Sequence, residues 1–488
     1  MSTSEQLVVL PPITDAHDHV IADAYSGVLQ DPSLDGLTSK SEVLTRIQEE
    51  CLQRSEQGYQ GFILFRKVVE MGITAEELDA VSSGLPIVVL EPSNHGGVAN
   101  TSVLTQVRSF AEGKELQGSI SDDGHVSEHY ATAAKNMAFA SVKDDELFRS
   151  LEDVLVSRVK SGISYVHDMG VRNGRDLVVI KELKKKWESE RSEPFPITRG
   201  YIMHLGEVGP DPVAEIQTAL TEGKLAKDDL SWIGIKFLAD GTLGSHSAHL
   251  TEDYTDATPD MQFPRGFSTM NSDKAEDVMK RAAEIGIREV AVHAIGDQAI
   301  DDSLDLAEKW QEIAAEHGFD GTRFRIEHFE LPLPSDEVLK RIKDMGIWAG
   351  PQPNFLTDYG YVDRLGEERI GAISPHRTMH EAGVNMMFGT DRMPASPLFA
   401  VWCAMNALYA NQRLSFDEAL KYFTETPAQF EGREVGETVV FDARLHELLK
   451  DARLGEDGVS LLQRAKNGDN VSGDIHQLVA ELHATARS

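Results

Sequence analysis

The chain has 488 residues, with 80 acidic against 47 basic side chains and a formal net charge of −33. Nucleic acids and anionic membranes are bound by basic surfaces, so this balance argues against both as partners. Cys51 and Cys403 are the only cysteines, too few for a disulfide scaffold. The N-terminal segment has no basic start, and no apolar run approaches 18 residues. We therefore expect a cytoplasmic protein without a membrane span.

Short runs rich in β-branched residues alternate with helical patterns along the chain. The strands predicted from these runs span residues 13–17, 163–168, 197–203, 232–238, 287–293, 324–328, 346–352 and 385–390. Amphipathic patterns such as DKAEDVMKRAAEIG, before the fifth strand, predict the intervening helices. This order predicts an α/β fold, a (β/α)8 TIM barrel. An open doubly wound sheet is the alternative, and it would gather its ligands at one switch point.

The domain limits follow from the same pattern. Residues 1–12 are predicted to be a short N-terminal strand or extension, and residues 13–430 the barrel. The gap of about 140 residues after the first strand is too long for a crossover, so we expect a large α/β insertion at about 20–155, suited to covering substrate. Residues 431–488 are predicted to hold one residual strand, GETVVFD, and a tail of two polar helices.

Polar residues of types that bind metals lie at the ends of five predicted strands. They are His17 and His19, Lys236, His293, His328 and Asp391. A single strand-end histidine is more often structural than a ligand, and a single lysine usually forms a salt bridge. Together, however, they match the way in which a barrel delivers functional groups to one face. Alternation along the sixth strand predicts that Glu327, next to His328, points away from this face.

Several strings resemble the amidohydrolase superfamily, specifically the family 3 branch that includes N-substituted formamide deformylases. The resemblance covers roughly residues 13–430. It depends on LEPSNHGGVANTSVL, GISYVHDMG, IKFLADGTLGSHSAHL, VHAIGDQAI, RIEHFEL, PQPNFL and GTDRMPASPLFAV. It implies a divalent metal held by His17, His19, His293, His328 and Asp391. Lys236 is at the position where many members carry a carboxylated lysine bridging two ions. A single ion beside an ordinary lysine amine is the alternative.

The chain departs from the family at several positions. Only 16 residues precede His17, where members usually have about 50 residues of a small β-sandwich. The part of that β-sandwich that follows the barrel in the family is reduced here to GETVVFD, so we expect a truncated or vestigial sandwich. His246 replaces the usual arginine after Gly-Ser, and Ser93-Asn94 precedes His95 in place of an aspartate.

The predicted chemistry is metal-assisted hydrolysis. Asp391 is the candidate general base and acid, because it can take a proton from water and pass it to a leaving nitrogen. Zn²⁺ suits three or four imidazoles with carboxylate oxygen best, and Mn²⁺, Fe²⁺ and Co²⁺ stay open. The substrate-binding candidates are His95, His246, Gln352 and Arg392. Asp240 and Asp297 could orient the ligand imidazoles or cap helices.

These inferences predict a hydrolase that cleaves a C–N amide or formamide bond of a small molecule. A deaminase or another hydrolase on the same barrel is the first alternative. A catalytically silent scaffold is the second, although such proteins usually lack ligands and none is missing here. The substrate and the oligomeric state stay open, and a homo-oligomer is compatible with the sequence.

Overall fold

A computed structural model of the chain describes a set of separate ranges. These are residues 7–29, 34, 37, 39–65, 71–91, 96–116, 118–319, 323–331, 336–355, 361–436, 439–451, 453, 459–467 and 470–487. The chain forms two compact units. The first contains Met1–Val20, Leu155–His204 and Pro212–Ser488, and the second contains Ile21–Val154 and Leu205–Asp211.

The strands and helices are numbered in chain order. The strands are β1 Leu7–Leu10, β2 Ile13–Asp18, β3 Ile63–Phe65, β4 Ile87–Leu90, β5 Gly96–Ala99, β6 His125–Ser127, β7 Ile163–Val171, β8 Ile197–Met203, β9 Ile233–Leu238, β10 Glu289–Ala294, β11 Arg323–His328, β12 Trp348–Gly350, β13 Asn385–Met386, β14 Val439–Asp442 and β15 Ala486–Arg487. The helices are α1 Val20–Leu29, α2 Lys40–Glu56, α3 Ala75–Val81, α4 Thr101–Ala111, α5 His129–Ala140, α6 Asp144–Lys160, α7 Gly174–Glu190, α8 Pro212–Thr221, α9 Ser272–Ile285, α10 Asp297–Glu316, α11 Asp336–Asp344, α12 Val362–Ala372, α13 His376–Ala382, α14 Pro397–Met405, α15 Phe416–Lys421, α16 Glu425–Glu431, α17 Arg444–Lys450, α18 Leu461–Lys466 and α19 Ser472–His483.

Eight parallel strands form the main sheet of the first unit. Their order is β2-β7-β8-β9-β10-β11-β12-β13, so every strand pairs with the next one along the chain within this unit. The prediction of an α/β fold with eight parallel strands is confirmed. A doubly wound sheet would reverse its order at a switch point, and this sheet does not.

The first and last strands of this sheet approach each other. The backbone N–H of Ala16 donates to the carbonyl of Phe388 at 3.1 Å, and that of Asp391 donates to the carbonyl of His17 at 2.7 Å. A Cβ added at Gly389 would lie 2.2 Å from Cβ of His17, so only glycine permits this approach. The curled sheet is therefore consistent with the TIM barrel predicted from the sequence.

The predicted strand positions agree with the structure, but two of the predicted strands were too long. The seventh strand was expected over residues 346–352 and spans Trp348–Gly350. The eighth was expected over 385–390 and spans Asn385–Met386. The helix predicted before the fifth strand is α9, which Asn271 caps and which ends at Gly286 with φ +102°.

A small antiparallel sheet also belongs to the first unit. Its order is β1-β14-β15, with Leu7 opposite Asp442 and Phe441 opposite Ala486. The sequence predicted a strand at GETVVFD but not its pairing with both ends of the chain. The prediction of two helices in the C-terminal tail was wrong, because α17, α18 and α19 lie there. α17 ends at Lys450 and α18 begins at Leu461, within the stretch that suggested one long helix.

The second unit has a four-stranded mixed sheet, ordered β3-β4-β5-β6. β3 and β4 are parallel, and the other pairs are antiparallel. Its core includes Ile47, Ile63, Leu78 and Ile87 together with Cys51. Burial raises the pKa of the Cys51 thiol to about 12, so this cysteine is an inert core residue.

Among the described residues, no helix combines the length and the apolar character needed to cross a bilayer.

Candidate metal centre

Predicted ligands from five strands meet at one end of the eight-stranded sheet. His17 lies near the end of β2, Lys236 in β9, His293 near the end of β10 and His328 at the last residue of β11. Asp391 lies in the loop that follows β13. In a parallel sheet of this order, the carboxyl ends of all strands face the same side, which explains the convergence.

Nε2 of His17 is the atom around which the group is arranged. It lies 3.2 Å from Nζ of Lys236 and 3.9 Å from Oδ1 of Asp391. Nε2 of His19 lies 2.9 Å from the same Oδ1 atom. One nitrogen or oxygen atom each of His17, His328 and Asp391 lies within 4.8 Å of the other two, which is close enough for one cation to contact all three.

His293 completes the set of predicted ligands. Its ring centroid lies 4.2 Å from that of His328. Nε2 of His293 lies 2.9 Å from the carbonyl oxygen of Gly241. A carbonyl oxygen only accepts hydrogen bonds, so Nε2 carries the hydrogen and Nδ1 has the lone pair that could bind a cation. The structure thus brings all six predicted ligand residues together, while their roles as ligands stay predictions.

Two of these residues have left-handed backbones. The φ angle is +71° at His328 and +48° at Asp391. Each such non-glycine residue costs on the order of 1 kcal/mol, and the cost persists only where the surroundings fix the conformation. At both positions the unusual angle turns the chain at the point where a functional side chain enters the site.

Glu327 contradicts the sequence-based expectation, because it faces the metal centre. Its Oε2 atom lies 2.7 Å from Nδ1 of His17. The φ angle of +71° at His328 ends the regular alternation of β11, so that Glu327 and His328 both face inward. A carboxylate accepts the hydrogen of Nδ1, which directs the lone pair of Nε2 towards Lys236 and Asp391. Glu327 therefore fixes the orientation of the His17 ring.

Arg325 lies two residues before Glu327 on the same side of β11, and it forms an ion pair with that carboxylate. Its Nε lies 2.7 Å from Oε1 of Glu327, and both side chains are fully buried. The guanidinium also donates to the carbonyl of Ala16 at 2.7 Å and lies 2.7 Å from Nδ1 of His167. The buried pair is thus anchored to β2 and β7, and sequence reasoning missed both of its members. Their spacing of two on a strand was the available signal.

Asp15 connects the first strand to the loop that carries Asp391. Its carboxylate accepts hydrogen bonds from the backbone N–H of Thr390 at 2.9 Å and from the Thr390 hydroxyl at 2.5 Å. Burial and the nearby Asp18 raise the pKa of Asp15 to about 8, against the opposing effect of these hydrogen bonds. Sequence reasoning also missed Asp15, although it lies two residues before His17.

Asp240, a predicted supporting residue, organises the loop after β10. Its carboxylate accepts from the backbone N–H groups of Ile295 at 3.1 Å, Gly296 at 2.8 Å and His249 at 2.9 Å. Its Oδ1 lies 3.5 Å from Nε2 of His293. Burial raises the pKa of Asp240 to about 7 despite these hydrogen bonds. Asp240 is therefore adjacent to a predicted ligand, as the sequence suggested.

Two other candidates have partners away from the predicted ligands. Asp297, the other predicted supporting residue, begins α10 and accepts from the backbone N–H of Thr251 at 2.9 Å. His246 lies 2.9 Å from Oδ2 of Asp256. These contacts leave the predicted roles of Asp297 and His246 without support from the geometry.

The remaining substrate-binding candidates differ in position. Nε2 of Gln352 lies 3.2 Å from Nδ1 of His17, so this residue belongs to the wall of the metal centre. The backbone N–H of Arg392 donates to the Thr390 hydroxyl at 3.3 Å. His95 lies outside the described residues.

The charges at the centre are set by burial and by close contacts. Burial raises the pKa of Asp391, but His19, His17 and Lys236 outweigh that effect and hold the pKa below its ordinary value. Burial lowers the pKa of Lys236 to about 8. Burial and the positive charge of Lys236 also hold the pKa of His17 well below its usual range. Neutral imidazoles and an ionised carboxylate are the protonation states that bind metal ions.

These donors fit a divalent cation. Neutral imidazole nitrogens and a carboxylate oxygen are the set that Zn²⁺ and similar ions prefer. Nδ1 of His328 is buried and has no hydrogen-bond partner among the described residues. This nitrogen lies 3.8 Å from Oε1 of Glu330, a carboxylate that could orient the His328 ring.

Comparisons with known proteins agree with this geometry. The family model Amidohydro_3, described as the amidohydrolase family, matches residues 5–437. Protein LONG AFTER FAR-RED 3 of Arabidopsis thaliana is 26% identical, over 85% of this chain and 73% of its own length. The N-substituted formamide deformylase of Arthrobacter pascens is 24% identical, over 87% of this chain and 80% of its own.

A solved structure is similar as well. The crystal structure of an uncharacterized metal-dependent hydrolase from Pyrococcus furiosus superposes with a TM-score of 0.65 at 26% identity. The match covers 88% of this chain and 84% of that one. With a family match over most of its length, an eight-stranded parallel sheet and converging polar residues at the carboxyl ends of its strands, the chain belongs to the amidohydrolase family.

Proposed function

We propose that this protein is a metal-dependent hydrolase that cleaves a C–N amide or formamide bond of a small molecule. The observation that carries the proposal is the meeting of His17, His328 and Asp391, whose potential ligand atoms lie within 4.8 Å of one another. The names of two similar proteins, a formamide deformylase and a metal-dependent hydrolase, give further support.

A divalent cation at this centre would polarise the substrate carbonyl and make water a stronger nucleophile. Asp391 is ionised, so one of its oxygens can accept the proton of the attacking water. When the C–N bond breaks, Asp391 passes that proton to the leaving nitrogen, and the amine leaves neutral. Nε2 of His19 lies 2.9 Å from Oδ1 of Asp391, so both atoms could contact the same cation.

The cation is expected to be Zn²⁺, with one or two ions per subunit. His17, His19, His293, His328 and Asp391 would supply neutral nitrogen and anionic oxygen. The chemical state of Lys236 decides whether one ion or two ions bind. With its pKa lowered to about 8, part of the amine is neutral at physiological pH and can react with carbon dioxide, forming a carbamate and releasing a proton. The carbamate would supply the anionic bridge that a second ion needs.

The finer architecture is also part of the proposal. We expect the sheet to be a complete TIM barrel in which residues of about 20–155 are an insertion after the first strand. We interpret β1, β14 and β15 as the remnant of a second β-domain, because they join the two ends of the chain in one antiparallel sheet.

The test measures metal content and product formation on the same preparation. Purified protein is analysed for bound metals, depleted with a chelator, and reconstituted separately with Zn²⁺, Mn²⁺, Fe²⁺ and Co²⁺. Each form is assayed with N-alkylformamides, N-acylamines and amino-substituted heterocycles, with formate, carboxylate, amine and ammonia as separate readouts. We expect metal-dependent release of an amine with formate or a carboxylate, and loss of this activity on depletion.

Two other results would contradict the proposal. Ammonia release from an amino heterocycle, without amide cleavage, would favour the deaminase. A folded chain that binds less than one ion per subunit and stays inert after reconstitution would favour a scaffold. A His17→Ala/His19→Ala variant is the control, because it should remain inert with every metal.

A further inference from the structure

Two buried side-chain amides lie on the segment that follows β12. Gln352 is 1% exposed and Asn354 is 3% exposed. Gln352 donates from Nε2 to the carbonyl of Gly350 at 2.7 Å. Asn354 donates from Nδ2 to the carbonyls of Thr390 at 2.8 Å and Met393 at 2.9 Å. Backbone carbonyls only accept, so chemistry fixes which end of each amide is the nitrogen.

The oxygen of each amide is left without a donor. Oε1 of Gln352 and Oδ1 of Asn354 are buried, and neither has a hydrogen-bond partner among the described residues. Rotating either amide by a half turn would not help, because an oxygen would then face a carbonyl oxygen at under 3 Å. Two buried acceptors without donors are uncommon in a native protein and indicate a missing partner.

Both amides are connected to the metal centre. Nε2 of Gln352 lies 3.2 Å from Nδ1 of His17. Asn354 holds the carbonyl of Thr390, the residue directly before Asp391. The next residue, Phe355, has its ring centroid 5.7 Å from that of His328. Gln352 thus lies beside His17, and Asn354 lies beside the residue before Asp391, next to the place where a substrate of this centre would bind.

We infer that the oxygens of Gln352 and Asn354 accept hydrogen bonds from N–H groups of the substrate, and that the enzyme selects amides with at least one N–H over fully N-substituted ones. This inference rests on the proposed function and narrows its substrate class to primary and secondary amides or formamides. A primary amide could donate to both oxygens and a secondary amide to one of them, whereas a tertiary amide would leave both unsatisfied. Such selection is strong in a site built to hydrogen-bond, because the analogue that lacks the donor leaves a buried polar group without a hydrogen-bond partner.

The test compares N-butylformamide with N-butyl-N-methylformamide, which differ in the N–H. The ratio of their kcat/KM values is measured for the metal-loaded wild type and for Gln352→Leu and Asn354→Leu. We expect the wild type to prefer the N–H substrate, and the ratio to fall by about tenfold in the variant that lacks the oxygen accepting the single N–H of N-butylformamide. The wild type and the two variants share the steric effect of the methyl group. The change in the ratio between them therefore reports the contribution of the hydrogen bond.

Gln412→Leu is the matched control. Gln412 is a buried glutamine whose oxygen accepts from the backbone N–H of Arg377 and whose nitrogen lies 3.1 Å from the Thr378 hydroxyl. It should lower stability without changing the ratio. Metal content and circular dichroism of each variant are recorded, so that loss of the ion or of the fold is recognised.

The possible failures are distinguishable. Cleavage of both formamides with a ratio that neither substitution changes would overturn the inference and leave the proposed function intact. If neither compound is cleaved, binding of the same pair is measured by calorimetry. Equal affinities of the wild type would then overturn the inference. A preference for the N–H compound that Gln352→Leu or Asn354→Leu abolishes would support it independently of turnover, and a preference that neither variant changes would overturn it.

Discussion

The contact between Glu327 and His17 gives a prediction whose size can be worked from the structure. Glu327→Gln keeps the shape of the side chain but removes its charge, while Arg325 stays fully buried. Glu327 is the one carboxylate in contact with Arg325 among the described residues, and a buried guanidinium that loses such a partner costs about 3–5 kcal/mol of unfolding free energy. In the wild type, Oε2 of Glu327 lies 2.7 Å from Nδ1 of His17. The glutamine amide of the variant can turn its nitrogen towards Nδ1 instead, so it no longer fixes the orientation of the His17 ring. Loss of such support lowers metal affinity by about 10–100-fold.

The assay separates these two effects. Zn²⁺ affinity is measured by competition with a chromophoric chelator, and the d–d spectrum of the Co²⁺ form reports the ligand geometry. Urea unfolding of the metal-free protein gives the stability. Glu289→Gln is the control, because Glu289 is also buried and contacts Arg199 at 3.0 Å, but it has no contact with a predicted ligand among the described residues. It should be destabilised to a similar extent and retain wild-type metal affinity and spectrum.

The reasoning would be refuted if Glu327→Gln bound Zn²⁺ as tightly as the wild type and showed an unchanged Co²⁺ spectrum. It would also fail if Glu289→Gln lost metal affinity to the same degree. In that case general destabilisation, and not the orientation of His17, would explain the loss.

Three further predictions concern proton transfer, the metal count and pH. Asp391→Asn should lower kcat by about 10³-fold in a folded protein that keeps its circular dichroism spectrum, and activity within tenfold of the wild type would refute its role. Lys236→Ala should lose one of two ions and regain part of its activity with a short carboxylic acid; an unchanged ion count would favour the single-metal alternative. Burial raises the pKa of Glu431, but His167 and Arg433 outweigh it and lower the pKa to about 2 from 4.5. Its ion pair with Arg433 and its hydrogen bond with the His167 ring therefore stabilise the fold fully above pH 4.5 and lose that effect as the pH falls towards 2. Glu431→Gln should then cost about 3 kcal/mol at pH 7 and nearly nothing at pH 2 in urea titrations, and an equal cost at both values would contradict the assignment.

The order of the strands could be predicted from the sequence because each buried strand is a short apolar run with a polar residue at its end. The run before Lys236 and the run before His293 both show this pattern. Their position late in a strand was enough to place these residues at one face of the predicted barrel. The alternation of period two was applied to β11. It failed at His328, where the backbone enters the left-handed region, and so it assigned Glu327 to the wrong side.

Other features depend on contacts between distant parts of the chain. The eighth strand is regular only as far as Met386, yet the segment up to Asp391 is fixed by hydrogen bonds to His17 and Asp15. No local pattern reports such contacts. The same holds for Glu431, whose helix lies near the end of the predicted barrel and whose carboxylate lies 2.8 Å from the His167 ring. Sequence reasoning about separate segments could not have found these pairs.

The hydrogen bonds between Asp15 and Thr390 join residues that are 375 positions apart. His17 and Asp391 are next to this junction, so the proposed cation would join the first strand of the eight-stranded sheet to the loop after its last strand. Since a bridging ion has no comparable site in an unfolded chain, its binding energy would add directly to the work needed to separate these two strands. Chelation should therefore make this junction the first part of the barrel to exchange its amide hydrogens with solvent, ahead of the strands between β8 and β10.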